Sequence, residues 1–234
     1  MKTIGIIGGL GPETTLEYYH IITSSYQKQV GGQSYPKIII YSVNLGEFID
    51  AAEAGAWDKV AGWLSHGVEM LHRAEADFAM IAANTPHVVF DEVNAGSPIP
   101  MISIVEETVR VAKQLGLRKL GLFGTKFTMR ADYYQKVFSR ERIDIVVPDP
   151  EDQDYIYDKI LNELVIGEIV ADTRDGLLSI VRRMIDESSI QGLILGCTEL
   201  PLILTKDEFG IPFLNTTRIH AESALPLCLP NRHK

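Results

Sequence analysis

The chain has 234 residues, 46% apolar and 23% charged, which is enough to bury a sizeable core in one or two domains and too apolar for a disordered chain. A formal charge of −9 without any Lys/Arg-rich run excludes an electrostatic footprint for nucleic acid or an anionic membrane, so small molecules are the expected partners. Two cysteines, Cys197 and Cys228, exclude a disulfide framework, and no Cys/His pair has zinc-ligand spacing.

In chain order, the first predicted strand runs from Thr3 to Ile7. The apolar stretch ending at Gly8-Gly9 is too short for a signal peptide or a membrane span, so a cytoplasmic protein is expected. Gly8-Gly9-Leu10-Gly11-Pro12-Glu13-Thr14 then leads into a helix over Pro12 to Gln29, with Pro12 suited to its first turn. The loop is an anion-cradle candidate, through glycine amides and a helix start, or simply a structural turn. It departs from the dinucleotide fingerprint, which calls for Gly or Ala where Thr14 stands. The second strand, Lys37 to Val43, ends in Ser42-Val43-Asn44 with no ribose-binding acid.

A helix over Trp57 to Ala74 precedes a strand from Phe78 to Ala82, which ends in Ala83-Asn84-Thr85-Pro86-His87; Asn84 or Thr85 is the candidate cap of a following helix. Further strands are predicted at Met101 to Ile102, Lys119 to Phe123, Ile143 to Val147 and Gly192 to Leu195. Helices are predicted at Glu106 to Leu115, Thr128 to Ser139, Gln153 to Leu164 and Thr173 to Glu187. Such alternation predicts mostly parallel sheets flanked by helices.

The pattern repeats. Gly5-Ile6-Ile7-Gly8 with Thr14 and Tyr18-Tyr19 parallels Gly121-Leu122-Phe123-Gly124 with Thr128 and Tyr133-Tyr134. Gly5 to Ala83 spans 78 positions, and Gly121 to Cys197 spans 76. Two Rossmann-like α/β halves are therefore expected, residues 1–103 with 210–234 and residues 104–209, the segment from Phe213 to Leu227 returning to the first. In open parallel sheets ligands bind beyond the carboxyl ends of the strands, so the strand ends are expected to line a cleft between the halves.

The strand-end residues supply the candidate chemistry. Cys197-Thr198-Glu199 sets a thiol at a strand end, where following amides can depress its pKa and make it a base or nucleophile; a small core residue is the other reading. Asn84 and Thr85 offer an amide and a hydroxyl for a carboxylate or an oxyanion. Gly124-Thr125-Lys126-Phe127-Thr128 is the second glycine loop, where Thr125 and Thr128 bind the ligand's other end or Thr128 caps a helix. Cys228, among Leu225-Pro226-Leu227 and Leu229, reads as packing.

These four motifs, Ile4 to Thr14, Ala83 to His87, Gly124 to Met129 and Gly196 to Leu200, resemble the aspartate/glutamate racemase family over nearly the whole chain. The resemblance implies two pseudo-symmetric domains, a homodimer, and α-proton transfer between two bases without pyridoxal phosphate, metal or other cofactor. Carried over, Cys197 is one base and Asn84 and Thr85 hold the substrate carboxylate, with Gly9, Pro12, Thr125, Thr128, Thr198 and Glu199 as further contacts. The first base maps to Ala83, which has neither proton nor lone pair, leaving water, Thr85 or His87 for that face. Tyr155 stands where some acidic-amino-acid racemases have a basic residue, and Lys159 lies one helical turn on. The function implied is a cofactor-independent amino-acid racemase. Alternatives are a small-carboxylate-binding homologue impaired in catalysis, or a single-cysteine decarboxylase of malonate derivatives.

Overall fold

A computed structural model describes residues 1–229. The chain divides into two compact units, residues 1–107 with the segment from Thr217 onward, and residues 108–216.

The first unit runs β1 (Ile4–Gly8), α1 (Pro12–Val30), β2 (Ile38–Ser42), α2 (Leu45–Glu53), α3 (Trp57–Arg73), β3 (Phe78–Ile81), a 3-10 turn (Thr85–Val89), α4 (Phe90–Ala95), β4 (Met101–Ile102) and the start of α5 (Ile104–Gln114). Its sheet has the order β2-β1-β3-β4 with every pairing parallel. The second unit contains β5 (Lys119–Gly124), α6 (Lys126–Arg130), α7 (Tyr133–Ser139), β6 (Asp144–Val146), α8 (Pro150–Asn162), a 3-10 turn (Leu164–Ile166), α9 (Ala171–Ser188), β7 (Gly192–Gly196), α10 (Leu200–Ile203) and β8 (Phe213–Asn215). Its order, β6-β5-β7-β8, is again fully parallel. Finally α11 (Thr216–Ser223) and α12 (Leu225–Cys228) carry the chain back.

The central strands β1, β3 and β7 are buried along their whole length, and β5 is buried beyond Lys119. They are covered on both faces, which explains why they read as unbroken apolar runs rather than alternating ones. The edge strands β2 and β6 are only partly buried. In the first unit Ile4, Ile6, Phe78 and Met80 pack with Tyr18, Ile21 and Ile22 of α1 and with Ala221, Ala224 and Cys228. In the second, Phe123, Leu193 and Leu195 pack with Ile156 and Ile160 of α8 and Leu177, Ile180 and Val181 of α9.

The predicted fold class, α/β with two mostly parallel sheets flanked by helices, is the one observed. The two sheets share one strand order once β1–β4 are laid on β5–β8. Three local readings need correction. Phe213–Asn215 does not return to the first unit: it pairs with Leu193–Leu195 as the edge strand of the second sheet, and the return begins at Thr217. The helix read over Thr128 to Ser139 breaks at Ala131, which is extended, so α6 and α7 are separate. Helix α2 was not anticipated. Asn44 caps it, its Oδ1 accepting the amides of Gly46 and Glu47.

Candidate functional site

Strand register tests the equivalence of Ala83 and Cys197 within each unit. Gly5 of β1 is level with Ala79 of β3, and Gly121 of β5 is level with Leu193 of β7. Four residues beyond Ala79 is Ala83, and four beyond Leu193 is Cys197. The two residues occupy the same position in the repeated unit.

At the first unit's strand ends, Gly9 has φ +81°, and a Cβ there would lie 2.3 Å from the Val43 carbonyl oxygen, so only glycine fits. Its amide donates to Thr15 Oγ1 at 2.9 Å, and that hydroxyl donates to the Gly11 carbonyl at 3.2 Å. The expected anion cradle therefore lacks the Gly9 amide, which is spent inside the loop, while Pro12 has no amide to offer. Thr15→Val should destabilise the protein by about 1–3 kcal/mol, because it leaves a buried N–H without an acceptor; the shift of the urea-unfolding midpoint measures it.

Ala83 is nearly buried at the end of β3, its amide donating to the Ile81 carbonyl. Asn84 is buried and Thr85 half-buried. Asn84 has helical backbone angles and its side chain makes no cap bond, so the expected capping gives way to a 3-10 turn in which the His87 amide donates to the Asn84 carbonyl.

His87 cannot be the missing base. Its Nδ1 faces the Ala83 carbonyl at 2.9 Å and must donate, which leaves Nε2 to accept the Ile104 amide at 3.2 Å. Both ring nitrogens are used, the ring stacks on Phe90 at 5.0 Å, and burial pushes its pKa down to about 3. A second buried histidine lies beside it, with centroids 6.0 Å apart. His220 Nε2 donates to the Ile102 carbonyl at 2.9 Å, so Nδ1 accepts the Tyr18 hydroxyl at 2.8 Å. Burial lowers the pKa of His220 to about 4 and raises that of Tyr18. The two histidines thus tie both ends of the β4–α5 junction to the strand-end region, a role invisible in sequence because Tyr18 and His220 are 202 positions apart.

In the second unit, Cys197 is half-buried and follows β7 directly. Its Sγ donates to Glu199 Oε2 at 2.9 Å, and the Thr198 hydroxyl donates to the same oxygen at 2.8 Å. The expected depression of the thiol pKa is reversed. Burial raises it well above the usual thiol value, and the Glu199 carboxylate adds to that; backbone amides of Glu199 and Thr198 pull the other way and are outweighed.

Thr125 is the N-cap of α6: its Oγ1 accepts the Thr128 amide at 3.3 Å, and the two hydroxyls are also 3.3 Å apart. The capping residue is therefore Thr125, with Thr128 fully buried behind it. The break between α6 and α7 brings in Tyr133, unremarked in sequence except as part of the repeat. Tyr133 is buried, which raises its pKa; its hydroxyl bonds to Thr128 and lies within electrostatic reach of Cys197.

Tyr155 packs against the second core, and a Cβ on Gly176 of α9 would lie 2.2 Å from its hydroxyl. Lys159 pairs with Glu163 at 2.5 Å, and Glu163 also accepts the Thr173 hydroxyl. Tyr155 and Lys159 so join α8 to α9. Cys228 lies in the first core, where burial lifts its pKa to about 11. Among the described residues, no three His, Cys, Asp or Glu side chains gather as a metal site, and no helix is long and apolar enough to cross a membrane.

Two parallel α/β units, each gathering polar side chains at the carboxyl ends of its central strands, define a protein built to handle a small molecule. The family model for Asp/Glu/hydantoin racemases matches residues 7–224, and the chain belongs to that family. It is similar to the broad specificity amino-acid racemase RacX of Bacillus subtilis, 24% identical over 95% of this chain and 96% of that protein. Among solved structures it resembles a candidate Asp/Glu racemase from Yersinia pestis, at 33% identity and TM-score 0.91 over 98% of this chain and 100% of that one. It also resembles an aspartate racemase homologue from Pyrococcus horikoshii, at 34% identity and TM-score 0.83 over 97% and 99%. The resemblance seen in the four sequence motifs thus extends over the whole fold.

Proposed function

We propose that the protein is a cofactor-independent racemase of small amino acids of the aspartate and glutamate type, in which Cys197 is the base that exchanges the substrate's α-proton on one face. The observation that carries this reading is the register: Cys197 stands at the second strand end with a polar partner on its sulfur, and the equivalent position holds Ala83. Asn84 and Thr85 are assigned to the substrate carboxylate, where hydrogen bonds stabilise the charge that develops when the α-proton leaves. A methyl group transfers no proton, so exchange on the Ala83 face falls to water or the Thr85 hydroxyl, and the enzyme is slow and asymmetric. The homodimer implied by the resemblance and the cytoplasmic location expected from the sequence are part of the same proposal.

The test is deuterium incorporation at Cα from D2O across D- and L-aspartate, glutamate and neutral amino acids. One enantiomer is expected to exchange faster than it racemises. Cys197→Ser should lower that exchange by about a hundred- to ten-thousandfold. Absence of exchange with every amino acid, or full exchange in Cys197→Ser, would remove the reading.

A second reading is favoured by the thiol's donated hydrogen bond. A sulfur that rests protonated, with no base at the equivalent position, suits decarboxylation of a malonate derivative, where the carbanion needs one proton and no abstraction. Release of carbon dioxide from a disubstituted malonate panel, without deuterium exchange into amino acids, would establish it.

A further inference from the structure

Glu199 occupies the N-cap position of α10, yet its side chain makes no cap bond there. Its carboxylate turns back instead, and Oε2 takes the Cys197 thiol at 2.9 Å and the Thr198 hydroxyl at 2.8 Å. Capping offers that side chain no partner, because Pro201 has no amide and the Leu200 and Leu202 amides already donate to the Cys197 and Glu199 carbonyls. Here it engages the sulfur of the residue two positions before it. All three residues are half-buried, so the pair is reachable from solvent while partly shielded from it.

We propose that Glu199 is a positioning residue that holds the proton of Cys197 and exchanges it, so that the thiol–carboxylate pair, rather than sulfur alone, moves the proton at this strand end. This rests on the racemase reading of Cys197 and departs from the role of direct substrate contact that the resemblance suggests for Glu199. In the forward step the Sγ–H proton passes to Oε2: the S–H electron pair stays on sulfur as thiolate, and an oxygen lone pair forms the O–H bond. The thiolate then takes the α-proton, whose C–H pair stays on the substrate as the carbanion. Return of a proton to carbon reverses both transfers, and nothing is oxidised or reduced. The Thr198 hydroxyl, bonded to the same oxygen, holds the carboxylate in line throughout.

The test is the alkaline titration of Cys197 in the full-length protein, followed by iodoacetamide alkylation with peptide-resolved mass spectrometry, so that Cys228 is counted separately and no substrate is needed. Removing the charge with Glu199→Gln should lower the midpoint of Cys197 by about one pH unit or more, since a like charge within hydrogen-bond distance disfavours the thiolate. Glu199→Asp, which keeps the charge, should retain most of the raised midpoint. An unchanged midpoint in Glu199→Gln, or an equal fall in both variants, would overturn the proposal. Where α-deuterium exchange is measurable, its pH profile should shift in Glu199→Gln by the same amount as the alkylation midpoint. A shifted midpoint with no exchange of any amino acid would sink the racemase reading and leave the proton-holding role of Glu199 standing; measurable exchange with an unshifted midpoint would do the reverse.

Discussion

Ala83→Cys is expected to raise the rate of racemisation of aspartate or glutamate by about a hundred- to ten-thousandfold, the usual worth of one positioned general acid or base. The register places Ala83 at the position that Cys197 holds in the other unit. Its backbone is held from both sides, the amide donating to Ile81 and the carbonyl accepting the His87 Nδ1–H, so a new side chain inherits the direction of the methyl. Ala83→Val supplies comparable bulk and no exchangeable proton. Deuterium incorporation should become nearly equal for the two enantiomers in the cysteine variant and stay unequal in the valine variant. A cysteine variant no faster than the valine one would show that position 83 is not the missing base.

Acidification to about pH 5 is expected to cost the fold about 4 kcal/mol through His87 and His220 together, roughly 2 kcal/mol each. The sign follows from where the protons go. Both histidines are neutral in the fold, with pKa values lowered to about 3 and about 4 by burial, whereas in the unfolded chain they titrate near the ordinary value. The unfolded state therefore binds more protons as pH falls below about 6.5, and stability drops until the folded-state values are reached. Domain stabilities are typically about 5–15 kcal/mol, so this is a large share. Urea unfolding across this range measures the slope. His220→Gln should reduce that slope by about half, whatever it does to stability at neutral pH, and an unchanged slope would show that the histidines do not carry the acid sensitivity. The window lies above the range where most carboxylates titrate, which separates it from Glu163, whose pKa is lowered by Lys159 and Thr173.

Much of the architecture was legible because it is written in local signals. Long apolar runs such as Gly192 to Leu195 are what a strand covered on both faces needs, and the turn from Gly8 to Pro12 marks where one ends and a helix begins. Helix α2 was equally readable: Asn44 with Glu47 three residues on is a helix-start signature. Strand β8 was harder. Three residues, of which only Leu214 is buried, are too few to show a period, and only pairing with β7 makes them a strand.

The site divides along the same line. That Ala83 and Cys197 are equivalent, and that Thr198 and Glu199 adjoin the thiol, follows from sequence spacing alone, because parallel strands of equal register carry equal spacing to their ends. Which proton each group holds was decided by the tertiary structure. The fate of the Gly9 amide depends on Thr15, the spent nitrogens of His87 depend on Ala83 and Ile104, and the raised pKa of Cys197 depends on burial together with a carboxylate aimed at sulfur. Hydrogen-bond partners and desolvation arise only when distant segments close around a group, so no reading of neighbours along the chain supplies them.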